Sequence, residues 1–225
     1  TPIKRPLTWD ISLNLARNKN KVIALSPGID ELILEEPRTR TVFVKHIVGQ
    51  PFGMLTGWVQ KRDAAGNRMY TSTGEVVQSD KYEILGNGVA DLTGGLNNNL
   101  TYKQFNLSFL IDFKAGGDIY SGTNVRLTQA GLSQESLAGR EGDLQITGVF
   151  ENGSGGYTGV ETRTLTVEQA GNYWGSVGDR DEAHFTYDAS FAKLRQVTLG
   201  YDLPAKILSK TPLKTLNVSF VGRNL

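Results

Sequence analysis

Tyr187-Asp-Ala-Ser-Phe-Ala-Lys-Leu-Arg-Gln-Val-Thr-Leu-Gly-Tyr-Asp-Leu-Pro204 is the stretch on which the reading of this 225-residue chain turns. It predicts a strand over 191–203. After a short basic segment a second strand candidate covers 214–221, leading into Val221-Gly-Arg-Asn-Leu225. Upstream the pattern is cleaner: Phe105, Leu107, Phe109, Ile111 and Phe113 alternate with Asn106, Ser108 and Asp112, the two-residue period of a strand with one apolar face. Trp9, Ile11, Leu13 and Leu15 alternate in the same way with Asp10, Ser12 and Asn14. Further strand candidates are 41–48, 54–61 and 91–101. Arg17-Asn-Lys-Asn20 reads as a turn from which Lys21-Val-Ile-Ala-Leu25 returns, Ala64-Ala-Gly-Asn67 as the turn of a hairpin ending near Tyr70, and Tyr102-Lys-Gln104 as a tight turn between strands.

Between Gly116 and Tyr187 the alternation dissolves into Gly, Ser, Thr, Asn and charged residues, with one short helix predicted around 134–137. A connection of that length is out of place in a compact soluble domain. Long loops on one side and short turns on the other are the habit of an outer-membrane β-barrel. Nine residues of alternation, as at 105–113, suffice to cross the hydrocarbon when tilted. The same aromatic alternation also suits a soluble extracellular β-sandwich acting as a carbohydrate- or protein-binding module, and periodicity by itself does not separate the two.

Composition narrows the chemistry. A net charge of +1, from 24 Lys and Arg against 23 Asp and Glu, gives no basic field for a nucleic acid. The absence of cysteine excludes disulfides, thiolate metal sites and cysteine nucleophiles. With only His46 and His184, a histidine-rich metal site is not expected; both histidines read as structural. The 26 glycines, 9 phenylalanines and 8 tyrosines suggest strands, turns and long loops. No apolar run approaches the ~20 residues of a membrane helix. Thr1-Pro-Ile-Lys-Arg-Pro6 lacks the apolar segment of a signal peptide, and the chain is read as an interior piece of something larger.

The opening stretch closely resembles the signature of the SusC/RagA family of TonB-dependent outer-membrane transporters of Bacteroidetes. The resemblance rests on Asp188, Ala189, Ser190, Phe191, Lys193, Leu194, Arg195, Leu199, Gly200, Tyr201 and Pro204, continuing into Leu216–Leu225. Weaker similarities precede it in order: Trp9-Asp-Ile-Ser-Leu-Asn14, Val48-Gly-Gln-Pro-Phe-Gly53 with Gly57-Trp58, and Gly94-Gly-Leu-Asn97 with Tyr102-Lys103 and Phe105-Asn-Leu-Ser108. The resemblance implies an all-β fold, an antiparallel segment of a large plugged transmembrane barrel with long extracellular loops. All of 1–225 would be a partial C-terminal portion of that barrel, with the plug, the TonB box and the final strands absent. It further implies a bacterial outer-membrane location, TonB-dependent import of glycan or peptide oligomers, a SusD-like surface lipoprotein as partner, and no cofactor or enzymatic role. In that setting Phe105, Leu107, Phe109, Ile111 and Phe113 face lipid, while Asn106, Ser108 and Asp112 face the lumen.

Loop aromatics are the candidates for contact with substrate or lipoprotein. Tyr157, Tyr173 and Trp174 lie in the Gly/Asn-rich region, where rings can stack on sugars or anchor an interface, and Asn172-Tyr-Trp174 resembles a feature that precedes the family signature. Asp179-Arg-Asp-Glu182 lacks the spacing of a calcium loop and reads as a solvated charged turn. Glu35-Glu36 does not suit an acid/base pair, because neighbouring strand residues point to opposite faces.

Overall fold

A computed structural model describes residues 7–35 and 41–225. Thr1–Pro6 and Glu36 lie outside the described residues. The elements, in chain order, are β1 (Leu7–Arg17), β2 (Glu31–Glu35), β3 (Phe43–Ile47), β4 (Met54–Gly57), β5 (Met69–Tyr70), β6 (Glu83–Asn87), β7 (Leu92–Tyr102), β8 (Phe105–Ala115) and β9 (Asp118–Tyr120). Helix α1 (Gly122–Gln129) follows, then β10 (Gln145–Phe150), β11 (Glu161–Thr164), α2 (Val167–Arg180), β12 (Thr186–Asp188), β13 (Phe191–Asp202), the short α3 (Ala205–Leu208) and β14 (Asn217–Arg223). Single 3-10 turns occupy Glu135–Leu137 and Glu182–Phe185. Contacts divide the chain into two compact units. One holds the described residues up to Lys19 with Ala90–Gly116 and Ala189–Leu225; the other holds Asn20–Val89 and Gly117–Asp188.

The first unit is a five-stranded antiparallel sheet in the order β1-β7-β8-β13-β14. Its registers align the alternating rows. Phe105, Leu107, Phe109, Ile111 and Phe113 stand opposite Tyr102, Leu100, Asn98, Leu96 and Gly94. These in turn oppose Leu7, Trp9, Ile11, Leu13 and Leu15. On the other side Leu107 and Phe105 meet Leu199 and Tyr201, which oppose Phe220 and Val218. Opposed residues share a face, so one side of the sheet is a near-continuous apolar surface and the other carries Asn, Ser, Thr, Asp and Arg. The apolar side is open: Trp9 is 58% exposed, Phe105 54% and Phe220 74%.

Two details keep that surface apolar. Asn98 is the amide in its midst, and it is buried; the Trp9 indole N–H donates to Asn98 Oδ1 at 3.1 Å. Gly94 lies under the Phe113 ring, where a Cβ would come within 2.4 Å of Cζ, so the aromatic fills the space a side chain would take. The β7–β8 connection is the predicted tight turn, with Tyr102 paired to Phe105 and Lys103 at a φ of 54°. A bulge between Leu194 and Gln196 adds one residue to β13 and directs Arg195 to the polar side, where it pairs with Asp112.

The second unit consists of two insertions into that sheet. Arg17 pairs with Leu92 and Lys114 with Phe191, so each insertion leaves and re-enters at a single ladder position, and Leu92 also pairs with Ala115 at the same end of the sheet. The insertions fold into one another. Tyr70 and Val76 from the first share a core with Val125, Ile146, Phe150, Leu165, Val177 and Phe185 from the second. Short β5 pairs in parallel with β10, Met69 opposite Val149 and Tyr70 opposite Phe150. A four-stranded sheet, β2-β3-β4-β6, completes the unit.

The region from Gly116 to Tyr187 is therefore a folded body and not the open connection its composition suggests. Helix α2 was hidden by Gly171, Gly175 and Gly178, which lower intrinsic helix propensity. Tertiary burial overrides that cost. Ala170, Tyr173, Trp174 and Val177 fall at i, i+3, i+4 and i+7 against the core, and Thr166 with Gln169 closes a capping box. Gly178 permits close approach to α1, since a Cβ there would come within 2.4 Å of Gln129 Cγ. Two further expectations are corrected. Lys21–Leu25 forms no strand, because Val22 bonds Gln50 and Gly49 through the backbone and the strand partner of β1 is the distant β7. The strand expected over 54–61 ends at Gly57, after which Lys61, Met69 and Val77 bond across a separate hairpin. The turn at 64–67 and the brief helix near 134–137, there a 3-10 turn, are found where predicted.

Candidate functional site

Signature residues on β13 split between the faces of the sheet. Leu194, Leu199 and Tyr201 stand on the apolar side, with Tyr201 against Phe105 at 4.8 Å between ring centroids. Lys193, Arg195 and Gly200 stand on the polar side; the Lys193 ammonium lies 4.6 Å from the centroid of Phe191. Ser190 Oγ accepts the Gly116 N–H at 2.8 Å, fastening the start of β13 to the end of β8. Pro204 ends the strand before α3. Asp188 closes β12 opposite Asp118, and Ala189 begins the next segment of the sheet unit.

The polar face is cross-linked by side chains. Asn106 Nδ2 and Asn217 Nδ2 donate to the two carboxylate oxygens of Asp202 at 2.8 and 2.7 Å, and Thr101 Oγ1 donates to Asn106 Oδ1 at 3.1 Å. Arg195 Nε donates to Asp112 Oδ2 at 2.9 Å. Strands β7, β8, β13 and β14 are thus tied to one another by side chains on the polar face.

Within the second unit, the loop aromatics separate. Tyr173 and Trp174 sit on α2 and not in a loop. Their rings meet edge to face at 5.0 Å, and Tyr173 also faces Tyr70 at 6.4 Å. Burial pushes the Tyr173 phenol up to about 12, so it stays a neutral hydroxyl. It lines a cleft of about 440 Å³ with Arg62, Arg68, Tyr70, Gln145 and Thr147. Trp174 instead lines a cavity of about 320 Å³ with Gln129, Gly139 and Arg140, and its indole N–H donates to Ala138 O at 2.9 Å. Tyr157 lies in a small hairpin opposite Glu151, to whose Oε1 its hydroxyl donates at 3.2 Å. Of the three aromatic candidates, only Tyr173 lines the arginine-bearing cleft. Sequence reading missed Arg62 and Arg68; their signal is the two like charges flanking the Asp63–Asn67 turn.

Asp179-Arg-Asp-Glu182 is not a solvated turn. Asp179 and Arg180 end α2, whereas Glu182 is fully buried, and no hydrogen bond of normal geometry reaches its carboxyl oxygens. Burial pushes its pKa up to about 8, a penalty that its own and the Trp58 backbone N–H groups offset only in part. Asp181 is also raised by burial, while the Gln60 backbone N–H donates to its Oδ1 at 3.2 Å. His184 Nε2 meets Glu135 Oε2 at 2.7 Å, and the Gly53 N–H points to His46 Nδ1 at 3.4 Å. Among the described residues, no group of three or more His, Asp or Glu could hold a metal ion, and no helix is long and apolar enough to cross a membrane.

The first unit is a sheet with one apolar and one polar face, and the second is a body of two co-folded insertions. Solved structures share the fold. The chain matches the RagAB peptide importer in its open-open state with a TM-score of 0.63 at 17% identity, covering 99% of this chain and 23% of that one. It matches the closed-closed state with a TM-score of 0.59 at 19% identity. By sequence the chain is similar to TonB-dependent receptors, SusC among them. It is 25% identical over 242 residues to TonB-dependent receptor P3 of Formosa agariphila, covering 97% of this chain. It is 23% identical over 211 residues to TonB-dependent receptor SusC of Bacteroides thetaiotaomicron, covering 88%. The chain spans 22% and 19% of the length of these two relatives. No family model matches.

Proposed function

We propose that this chain is a stretch of the C-terminal β-barrel of an outer-membrane, TonB-dependent importer of nutrient oligomers, glycans or peptides, acting with a SusD-like surface lipoprotein. The observation that carries this reading is the exposed apolar face of the five-stranded sheet. Its central strands run 11 or 12 residues, enough to cross a bilayer when tilted. In water such a face is a liability; against acyl chains it is at home. Phe105, Leu107, Phe109, Ile111 and Phe113 are then the lipid-facing row, and Asn106, Ser108 and Asp112 face the lumen. Energy coupling through TonB and the plug is assigned to the rest of the full transporter. The role is transport and not catalysis. The co-folded insertions form a surface loop body, with Tyr173 foremost, then Tyr157 and Trp174, as the residues offered to substrate or lipoprotein.

The test places one cation on either face of β8 in the full transporter. Phe109→Lys puts a charge on the lipid side, at a cost of about 2–4 kcal/mol near the bilayer midplane, and outer-membrane levels of the assembled barrel should fall sharply. Ser108→Lys, one residue away on the polar side, should assemble close to the wild-type level. Equal levels for the two variants would overturn the orientation.

A further inference from the structure

The cleft beside Tyr173 holds two arginines that form no ion pair among the described residues. Met69 N–H donates to Lys61 O and Asp63 N–H to Asn67 O, each at 3.0 Å. Arg62 and Arg68 are therefore opposed at a non-hydrogen-bonded rung, the kind in which facing Cα atoms lie about 4.5 Å apart. Like charges directly opposite each other destabilise a ladder. Neither guanidinium forms an ion pair among the described residues: Arg62 Nη1 donates to the Gly66 carbonyl at 2.8 Å, and the Arg68 guanidinium makes no hydrogen bond among them, although its backbone carbonyl accepts the Val149 N–H at 2.9 Å. The nearby acids are committed elsewhere. Asp63 accepts from the backbone of Ala65 and Asn67 and from Asn67 Nδ2, and Asp181, which interacts with both arginines through the field and forms an ion pair with neither, accepts from the Gln60 backbone. Both arginines line the cleft of about 440 Å³, which Tyr70 and Tyr173 also border and to which Gln145 adds an amide.

We infer that this cleft binds a carboxylate group of an oligomeric ligand, taken between the Arg62 and Arg68 guanidiniums beside Tyr173. The planar guanidinium fork matches carboxylate geometry, and a bound anion relieves the repulsion across the rung. As a capture point for an acidic nutrient the site rests on the import reading, but its ligand chemistry can be measured apart from transport.

Binding is measured on the full purified transporter in detergent with two acidic probes, amidated tri-glutamate and tri-galacturonate. Their neutral counterparts are amidated tri-glutamine and the tri-galacturonate methyl ester. At least one acidic probe should bind tenfold or more tighter than its neutral counterpart, and which one does identifies whether the carboxylate is borne on peptide or on sugar. In the Arg62→Gln/Arg68→Gln variant that preference should vanish, with acidic-probe affinity falling about 100-fold. Arg140→Gln, a charge loss at the other cavity, should leave it intact. Acidic probes that bind no better than neutral ones, or a preference that survives the double substitution, would overturn the inference. Probe binding in a protein that imports nothing would instead overturn the import reading and leave the cleft standing.

Discussion

The sheet unit and the insertion unit solve opposite problems with similar residues. In the sheet, Trp9, Phe105 and Phe220 lie on an open face. In the insertions, Phe150 and Phe185 are completely buried, stacked or wedged against Tyr70 and the two helices. A phenylalanine in the sheet is left open, and one in the insertions is covered by its own chain. Hydrophobic content alone therefore does not say where a residue points; its period does. The two-residue period marks the open sheet, and the i, i+3, i+4, i+7 set of α2 marks the globular body.

Substitutions can break this contrast one unit at a time. The largest effect is expected at Phe150→Ala, which empties the centre of the insertion core and should cost about 3–5 kcal/mol there. Hydrogen exchange in the full protein should then rise through Gly117–Asp188 and around β5 while β7, β8 and β13 keep their protection. Uniform loss of protection would mean that the two units do not fold independently.

A smaller, pH-dependent effect is expected at Glu182. Its folded pKa of about 8 lies above the ordinary value of 4.5, and neighbouring Asp181 and Asp179 push in the same direction. Between those values the folded state holds a proton that the unfolded chain has released. Stability of the insertion unit therefore falls as pH rises from 4.5 and levels off above 8, with a total on the order of a few kcal/mol. Glu182→Gln should match the wild type near pH 4 and exceed it at pH 9 in thermal unfolding. Identical pH profiles for the two proteins would remove Glu182 as the cause. The smallest effect is expected at Thr166→Ala, which opens the capping box and should cost about 1 kcal/mol, read as faster exchange in the first turn of α2.

These effects follow the line between what the sequence made legible and what it concealed. The rows on β1 and β8, the turn at Lys103 and the strand from Phe191 could be read residue by residue, because a strand with one apolar face writes its geometry into adjacent positions. The insertion body could not. Its core joins Tyr70 to Phe150 through a parallel pairing that no local window contains, and three glycines mask α2. The Gly/Asn-rich setting of Tyr173 reads as loop, yet the residue sits on the buried face of a helix. The arginines beside it were overlooked because a polar hairpin tip looks the same whether or not its charges are paired. Glu182 was taken for solvated for the same reason: in Asp179-Arg-Asp-Glu182 nothing local tells which of the four turns inward.

The rung joining Met69 to Val149 also bears on how such proteins can diversify. Because each insertion completes the other's core, neither can be exchanged with a relative's as a separate part. A graft of one would leave half an interior exposed, whereas a graft of Asn20–Val89 together with Gly117–Asp188 carries a finished body on two short necks. The unit of inheritance is then the pair of insertions together, and variation in one should be answered by variation in the other.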